Sequence, residues 1–407
     1  MALQGTFTPR GNAPAVAPEP TASPPLPERE SRADFRPTGR PLTGWLRHLR
    51  VISRTYIGRL LALRILSHAG SADRLATAPI ANVLICRLNA RMGNALFLTP
   101  LIQRVHELLP RASIDVAIAY PHSNDLLGQL PGVRRVITFP YKGVSLVWRY
   151  LVALRRVRAN YYDLAIDPMP NSTSGRIVLR LCRARFRLGF ASEHQWVRLT
   201  HSVPESHIPE HRAIQPVYLL HEALGVAHEP AEVRLWNPVS AADHAEGRAL
   251  ITRALEARGI EAAAAQTVGF FAYATGAKTV DRPYWEQFWT AFLQLAPEAV
   301  PVEFLPRPDS APFNPRFASL HVRTPHRLAA AMAELGMFIS ADTGPMHLAS
   351  STPVPTVGLF RASDPAHYGP LKPSDLALDV TRHSPASLAQ VLHRHWQLSR
   401  AARAAAA

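Results

Sequence analysis

Two strand-to-helix turns constrain this chain more than any other feature of it. In the first, the apolar run Ala81–Cys86 opens into the polar loop Arg87-Leu88-Asn89-Ala90-Arg91-Met92-Gly93-Asn94 and then into a helix-like Ala95-Leu96-Phe97-Leu98-Thr99-Pro100. In the second, an apolar run from Met337 ends at Asp342 and continues Thr343-Gly344-Pro345-Met346-His347-Leu348-Ala349. A proline near a helix's first position is harmless, because that N–H has no intrahelical partner anyway. Thr343 or Gly344 can cap this helix, which leaves backbone N–H groups and the positive dipole end free for an anion such as a diphosphate. The plainer alternative is an ordinary capped helix. Asp342 repels phosphate, so its expected task is to bind hydroxyls or N–H groups, with Thr343 adding a hydroxyl and His347 lying in the first turn.

Around both turns the texture is α/β. Short apolar runs at Val83–Cys86, Ile114–Ala119, Val136–Phe139 and Asp163–Ile166 alternate with helical segments at Ala95–Leu109, Val144–Arg158 and Arg176–Leu181. That alternation predicts a parallel sheet with crossover helices. The pattern dissolves through Glu205–Pro209, returns as a helix at His211–Leu224, and passes a linker containing Pro230 and Pro238. A second series starts with a helix over 242–258. It has strands at Val268–Tyr273, Val302–Leu305, Met337–Ser340 and Thr356–Phe360, and helices at Pro283–Leu295, His326–Leu335 and Pro345–Ser350. The prediction is two Rossmann-like halves, 81–228 and 229–385, with ligands in the cleft between them. Residues 386–407 read as a C-terminal helix or tail.

The segment before Ala81 has a different character. Residues 1–41 carry nine prolines and no apolar core, so they read as disordered. Residues 42–80 read as a basic amphipathic helical region. On a helical period Trp45, Leu49, Ile52, Tyr56, Leu60 and Leu63 share a face opposite Arg47, Arg50 and Arg54, although Arg59 breaks the pattern. Residues 44–66 suit an anionic membrane surface; equally, they suit a helix packed on its own domain.

The chain as a whole is 47% hydrophobic, which excludes a mainly disordered protein. Its net charge of +15 is carried by 45 Lys+Arg, of which only Lys142, Lys278 and Lys372 are lysines. Such a charge suits nucleic acid, a membrane surface or an anionic substrate. The basic patches lack interleaved aromatics, which argues against nucleic acid. Cys86 and Cys182 have no CxxC spacing and read as buried, reduced thiols. With no signal-peptide pattern and no run long enough to span a bilayer, the expected compartment is the cytoplasm, with the protein peripheral on the inner face of its membrane if the helix binds there.

Several chemistries lack their fingerprint. There is no GxGxxG and no Walker A loop, no GxSxG elbow around Ser172, Thr173 and Ser174, and no HExxH among the eighteen histidines, which read as scattered surface residues. Neither a cofactor nor a metal is expected. Trp285 and Trp289, at helical spacing, read as core.

The two turns nevertheless carry a family resemblance. Arg87-Leu88…Met92-Gly93-Asn94-Ala95-Leu96-Phe97-Leu98-Thr99-Pro100, followed by Pro131-Gly132-Val133-Arg134-Arg135-Val136, resembles the N-terminal domain of glycosyltransferase family 9, the ADP-heptose:lipopolysaccharide heptosyltransferases. Ser340-Ala341-Asp342-Thr343-Gly344-Pro345-Met346-His347-Leu348-Ala349, then Pro353–Phe360 and Ser363-Asp364-Pro365, resembles that family's C-terminal signature. The likeness covers about residues 81–380. It implies an α/β GT-B fold and inverting, metal-independent transfer of a heptose-like sugar from a nucleotide-sugar donor to a lipid-linked glycan, such as a lipopolysaccharide core. It places the donor on Asp342, Thr343, Gly344 and His347, with Lys278 or Arg282 at the phosphates, and the acceptor near the loop of Arg87 and Gly93.

Two departures stand out. Where the family has Gly-Asp, with Asp as the proposed base, this chain has Gly93-Asn94, and an amide cannot accept the acceptor's proton. Another group is then the base, or Asn94 only positions the acceptor, or the protein is a non-catalytic sugar-nucleotide or glycan binder. Asp167 ranks first and His122 second as substitute bases, both just past strands at the expected cleft edge. Arg361 stands where the family has glycine, and either meets the donor phosphates or narrows the pocket. A nicotinamide-dependent oxidoreductase is a more distant reading, weakened by the missing glycine fingerprint.

Overall fold

The computed structural model describes residues 75–141, 146–170, 172–191, 197–227, 233–262 and 266–406. The disordered and amphipathic segments expected over 1–66, and Pro230 of the linker, lie outside these. By contacts the chain divides after Ile52, and every described residue belongs to the second unit.

The N-terminal half is built on β1 (Asn82–Arg87), β2 (Ser113–Ile118), β3 (Val133–Thr138), β4 (Tyr161–Asp167), β5 (Arg183–Phe190) and β6 (His201–Val203), in the order β3-β2-β1-β4-β5-β6. Its helices are α1 (Met92–Leu96), α2 (Thr99–Leu108), α3 (Ser123–Leu127), α4 (Leu146–Arg158), α5 (Thr173–Leu181) and α6 (Gln215–Leu224). The C-terminal half follows with α7 (Ala241–Glu256), β7 (Gln266–Phe271), α8 (Arg282–Leu295), β8 (Ala299–Phe304), β9 (Ala318–Leu320), α9 (Pro325–Ala333), β10 (Met337–Ala341), α10 (Gly344–Ser350), β11 (Thr356–Phe360), α11 (Pro365–Tyr368), β12 (Leu376–Asp379) and α12 (Pro385–Ala406). Its sheet runs β12-β11-β10-β7-β8-β9. All ten strand pairings are parallel. This is the expected pair of Rossmann-like halves, the GT-B arrangement.

Parallel strands covered on both faces are apolar along their length, and β1, β10 and β11 are buried almost throughout. In each sheet the strand order reverses once, between β1 and β4 and between β10 and β7. Loops leaving the carboxyl ends of strands diverge there and open a crevice. The two signature turns follow β1 and β10, so both sit at a reversal point. Trp285 and Trp289 are core residues, packed with Phe270, Phe288 and Phe292, and Trp396 of α12 closes over them. Cys86 and Cys182 are free and buried.

Some elements escape the apolar-run criterion. β5 alternates Arg183, Arg185 and Arg187 with Ala184, Phe186 and Leu188, so charge hides its inward face. β6 and β9 are three residues each. The histidines also depart from the surface expectation, for His211, His221 and His347 are buried.

The segment between the halves is stitched to both: the Trp236 N–H donates to Thr99 Oγ1 (2.8 Å) and the Asn237 N–H to the Ser351 carbonyl (3.1 Å). His211, before α6, reaches the other half directly, its Nε2 donating to the Gly369 carbonyl at 2.9 Å while Nδ1 accepts from the Ala213 N–H. Burial holds this imidazole neutral down to about 4, against an ordinary value of 6.5; nearby His347 and His367 act in the same sense, and the Gly369 bond opposes them. The unfolded chain therefore binds a proton that the fold refuses between those two values. Stability should fall by up to about 3 kcal/mol as pH drops from 6.5 to 4. Urea melts across that range check this, and His211→Asn should flatten that part of the slope.

Candidate active site

A cavity of about 620 Å³ lies between the halves, at the carboxyl ends of both sheets. Its N-terminal wall comes from the turn after β1: Arg91, Met92, Gly93, Asn94 and Phe97, with Tyr120 from beyond β2. Its C-terminal wall comes from beyond β7 (Tyr273, Thr275, Lys278) and from the turn after β10 (Asp342, Thr343, Gly344, His347), with Tyr368 of α11.

The two walls touch where neither has room for a side chain. A Cβ on Gly93 would stand 2.6 Å from His347 Cδ2, and a Cβ on Gly344 would stand 3.1 Å from Met92 Cβ. The His347 ring is buried, edge-on to Phe97 at 4.7 Å between centroids. The imidazole predicted to line the first turn of α10 is therefore wedged into the joint between the halves.

The C-terminal wall is organised around Asp342. Lys278 Nζ pairs with its Oδ2, Ser363 Oγ donates to the same oxygen at 2.5 Å, and His347 Nε2 stands 3.4 Å from Oδ1. Burial opposes the charge, but hydrogen bonds from His347, Lys278 and Ser363 outweigh it and hold the carboxyl well below the usual carboxylate range. Lys278 remains about a third exposed, its ammonium 5.5 Å from the Tyr368 ring centroid. Asp342 thus works as an anchor that fixes a lysine at the cavity wall. Thr343 is the N-cap of α10, and its hydroxyl is within 3.0 Å of Ser340 Oγ.

The N-terminal wall is organised around Arg87, the last residue of β1. Its Nη2 donates to Asn94 Oδ1 at 2.8 Å, while Nε and Nη1 are buried without a hydrogen-bond partner among the described residues. Burial lowers this guanidinium's pKa to about 10, with Asp167 opposing and Arg212 assisting. Because Oδ1 of Asn94 is occupied by Arg87, the free end of the amide is its NH₂, a donor. Arg91 lies exposed on the same wall and forms no ion pair with a described residue.

The remaining predicted residues stand apart from the cavity. Asp167, at the end of β4, is completely buried, with Arg176 Nε 3.4 Å from its Oδ2. Burial raises its carboxyl to about 6, against the pull of Arg176, Ser172 and Arg87. It lies behind the wall, next to Arg87. His122 caps α3 and is exposed, 3.8 Å from Asp125. Arg282 bonds Glu286 and the Phe313 carbonyl, both at 2.8 Å, and Arg361 bonds the Thr279 carbonyl at 2.8 Å. Arg361 lines a separate cavity of about 290 Å³ beside Tyr284 and Val380. Among the described residues no group of three or more His, Cys, Asp or Glu could hold a metal ion, and no helix is long and apolar enough to cross a membrane.

Tyr120, Tyr273, Tyr368 and Arg91 were not anticipated. Each comes from a different connection, and single aromatics or arginines carry no spacing signal. Ser363 had a signal, since it opens the Ser363-Asp364-Pro365 stretch of the resemblance.

Gly93→Ala tests the joint. The added methyl meets a buried ring that has little space to yield, so the loss should be about 1–3 kcal/mol in chemical melts.

Comparison with known proteins matches this architecture. Residues 326–393 fit the model of glycosyltransferase family 9 (heptosyltransferase). A family 9 glycosyltransferase from Veillonella parvula superposes with a TM-score of 0.61 at 19% identity, over 74% of this chain and 87% of that one. The ADP-heptose lipopolysaccharide heptosyltransferase II of E. coli gives 0.62 at 15% identity, over 78% and 99%. The E. coli heptosyltransferase WaaC, solved with ADP, gives 0.58 at 16% identity, over 77% and 99%. No curated protein sequence matches the chain. The chain therefore has the GT-B fold of these heptosyltransferase structures, and its segment 326–393 matches the family 9 model.

Proposed function

We propose that the protein is an inverting glycosyltransferase that moves a heptose-like sugar from a nucleotide donor to a lipid-linked surface glycan on the cytoplasmic side of a membrane. The observation that carries this reading is the pairing across one cavity of an anchored cation, Lys278 on Asp342, with the Arg87–Asn94 turn. A departing nucleoside diphosphate develops negative charge, and a cation fixed in advance stabilises it without reorganising. The heptosyltransferase relatives solved with ADP and with ADP-2-deoxy-2-fluoro heptose support a donor of this class. The diphosphate lies beside Lys278 and the start of α10, and the acceptor lies against Arg91, Gly93 and Asn94.

In the reaction an acceptor hydroxyl attacks the anomeric carbon, the carbon–oxygen bond to the diphosphate breaks with its electron pair leaving on the diphosphate, and the hydroxyl proton passes to water. Asn94 donates its N–H to hold the acceptor oxygen and takes no proton. Asp167 acts from behind, as the charge that keeps Arg87 in place. A non-catalytic sugar-nucleotide binder is the second reading, and Asn94 is the observation that favours it.

Release of nucleoside diphosphate from a panel of sugar nucleotides separates the two. Lys278→Ala should lower turnover about 100-fold. Asn94→Asp supplies a carboxylate whose charge Arg87 favours, so turnover should rise at least about tenfold. Donor binding with no release by either the native chain or Asn94→Asp would establish the binder. No binding of any donor would sink both readings.

A further inference from the structure

The cavity leaves unexplained a set of exposed apolar side chains on one helix. Among the described residues seven large hydrophobic side chains are exposed; Val147, Trp148 and Leu151 belong to α4, and Tyr141 stands five residues before its start in the sequence. Trp148 is 63% and Val147 73% exposed. A helix on a sheet normally buries its apolar stripe and shows water a polar face. α4 does bury a stripe, Tyr150, Ala153 and Val157, against Phe139 and its neighbours. It then places a second apolar group on the outside.

Arginines lie within that outer group and on one flank of it. At 100° per residue Val147, Leu151 and Arg158 fall in one line, Arg155 and Trp148 beside it, and Arg156 and Arg149 on the flank. Arg158 turns back to the Leu181 carbonyl at 2.6 Å. Arg149, Arg155 and Arg156 are exposed and form no ion pair with a described residue. The neighbourhood in sequence offers them none: residues 126–162 hold seven Lys and Arg and no Asp or Glu.

We propose that the outer face of α4 docks on an anionic lipid bilayer. Trp148, Val147 and Leu151 enter the boundary between headgroups and acyl chains, and Arg149, Arg155 and Arg156 meet the lipid phosphates. Charge complementarity selects this occupant, because exposed arginines beside a tryptophan, in a stretch of sequence without Asp or Glu, suit a continuous negative surface. The topology adds a second argument. α4 is the crossover from β3 to β4, so it runs antiparallel to the strands, and its first turn lies at their carboxyl edge. Arg91, Gly93 and Asn94 emerge at that same edge. Docking therefore brings the N-terminal wall of the cavity towards the lipid. The proposal does not rest on the transferase reading.

The test is cosedimentation of the full chain with vesicles of phosphatidylcholine alone or mixed with phosphatidylglycerol. The native chain should sediment with the mixed vesicles only. Trp148→Ser/Leu151→Ser and Arg155→Glu/Arg156→Glu should each bind at least about tenfold more weakly, with unchanged melting temperature and oligomeric state. Native-like binding by both variants overturns the proposal and moves any docking elsewhere, residues 42–80 included. A changed oligomeric state overturns it in favour of a second copy on this face. A lowered melting temperature in both overturns it in favour of the chain's own cover.

Discussion

The close approach of two glycines to the opposite half underlies the rest of this structure. Two separate six-stranded sheets have no hydrogen bond in common, so their relative position depends on what lies between them. Gly93 under the His347 ring and Gly344 under Met92 let the two signature turns meet at van der Waals distance. Phe97, stacked near Tyr368 and edge-on to His347, fills the joint with aromatic surface. The cavity walls are consequently set by direct contact between the turns that line them.

The two walls handle buried charge in opposite ways. On the C-terminal side one carboxylate, Asp342, is met by Lys278, His347 and Ser363, and the ammonium keeps part of its surface in the cavity. On the N-terminal side two buried guanidinium groups, Arg87 and Arg176, face one buried carboxylate, Asp167. That set carries an excess positive charge, and the neutral amide of Asn94 leaves it in place. Burial lowers the pKa of Arg87, and two of its nitrogens have no hydrogen-bond partner among the described residues. A carboxylate at position 94 or an anionic group of a ligand would neutralise it. Exchange of aspartate for asparagine there thus alters the electrostatics of the whole wall as well as removing a base.

Much of this was legible in the residues, for reasons that can be named. β1 and β10 are buried on both faces, and such strands read as continuous apolar runs; their reversal-point loops then follow from the order of elements. Asp342, His347, Gly93 and Asn94 follow those two strands and Lys278 follows β7, and all five line the cavity. Arg282 and Arg361 lie on equally well-placed connections and still point elsewhere. Glu286, one helical turn after Arg282, and the Thr279 carbonyl near Arg361 decide their directions. Such local competition is a property of side-chain geometry that spacing does not encode. His347 shows the converse: its position was readable, whereas its burial depends on Gly93, far away in the chain.

A consequence of the all-parallel topology joins the interior to the surface. Each half presents its loops at one edge, and the two edges face each other across the cavity. Any crossover helix starts at that edge and runs away from it. Only the first turns of such helices stand near the cavity mouth, and in α4 that first turn holds Val147 and Trp148. Arg149 closes that turn and Arg155 and Arg156 follow about two turns later, so apolar contact and positive charge share the end nearest the mouth and more charge extends behind it. The excess positive charge of the chain is therefore used in distinct settings: single cations fixed by buried partners at the cavity, and an unpaired arginine surface beside it. In the transfer proposed above, a soluble phosphorylated donor meets the first, and an acceptor held in a lipid layer is presented to the second.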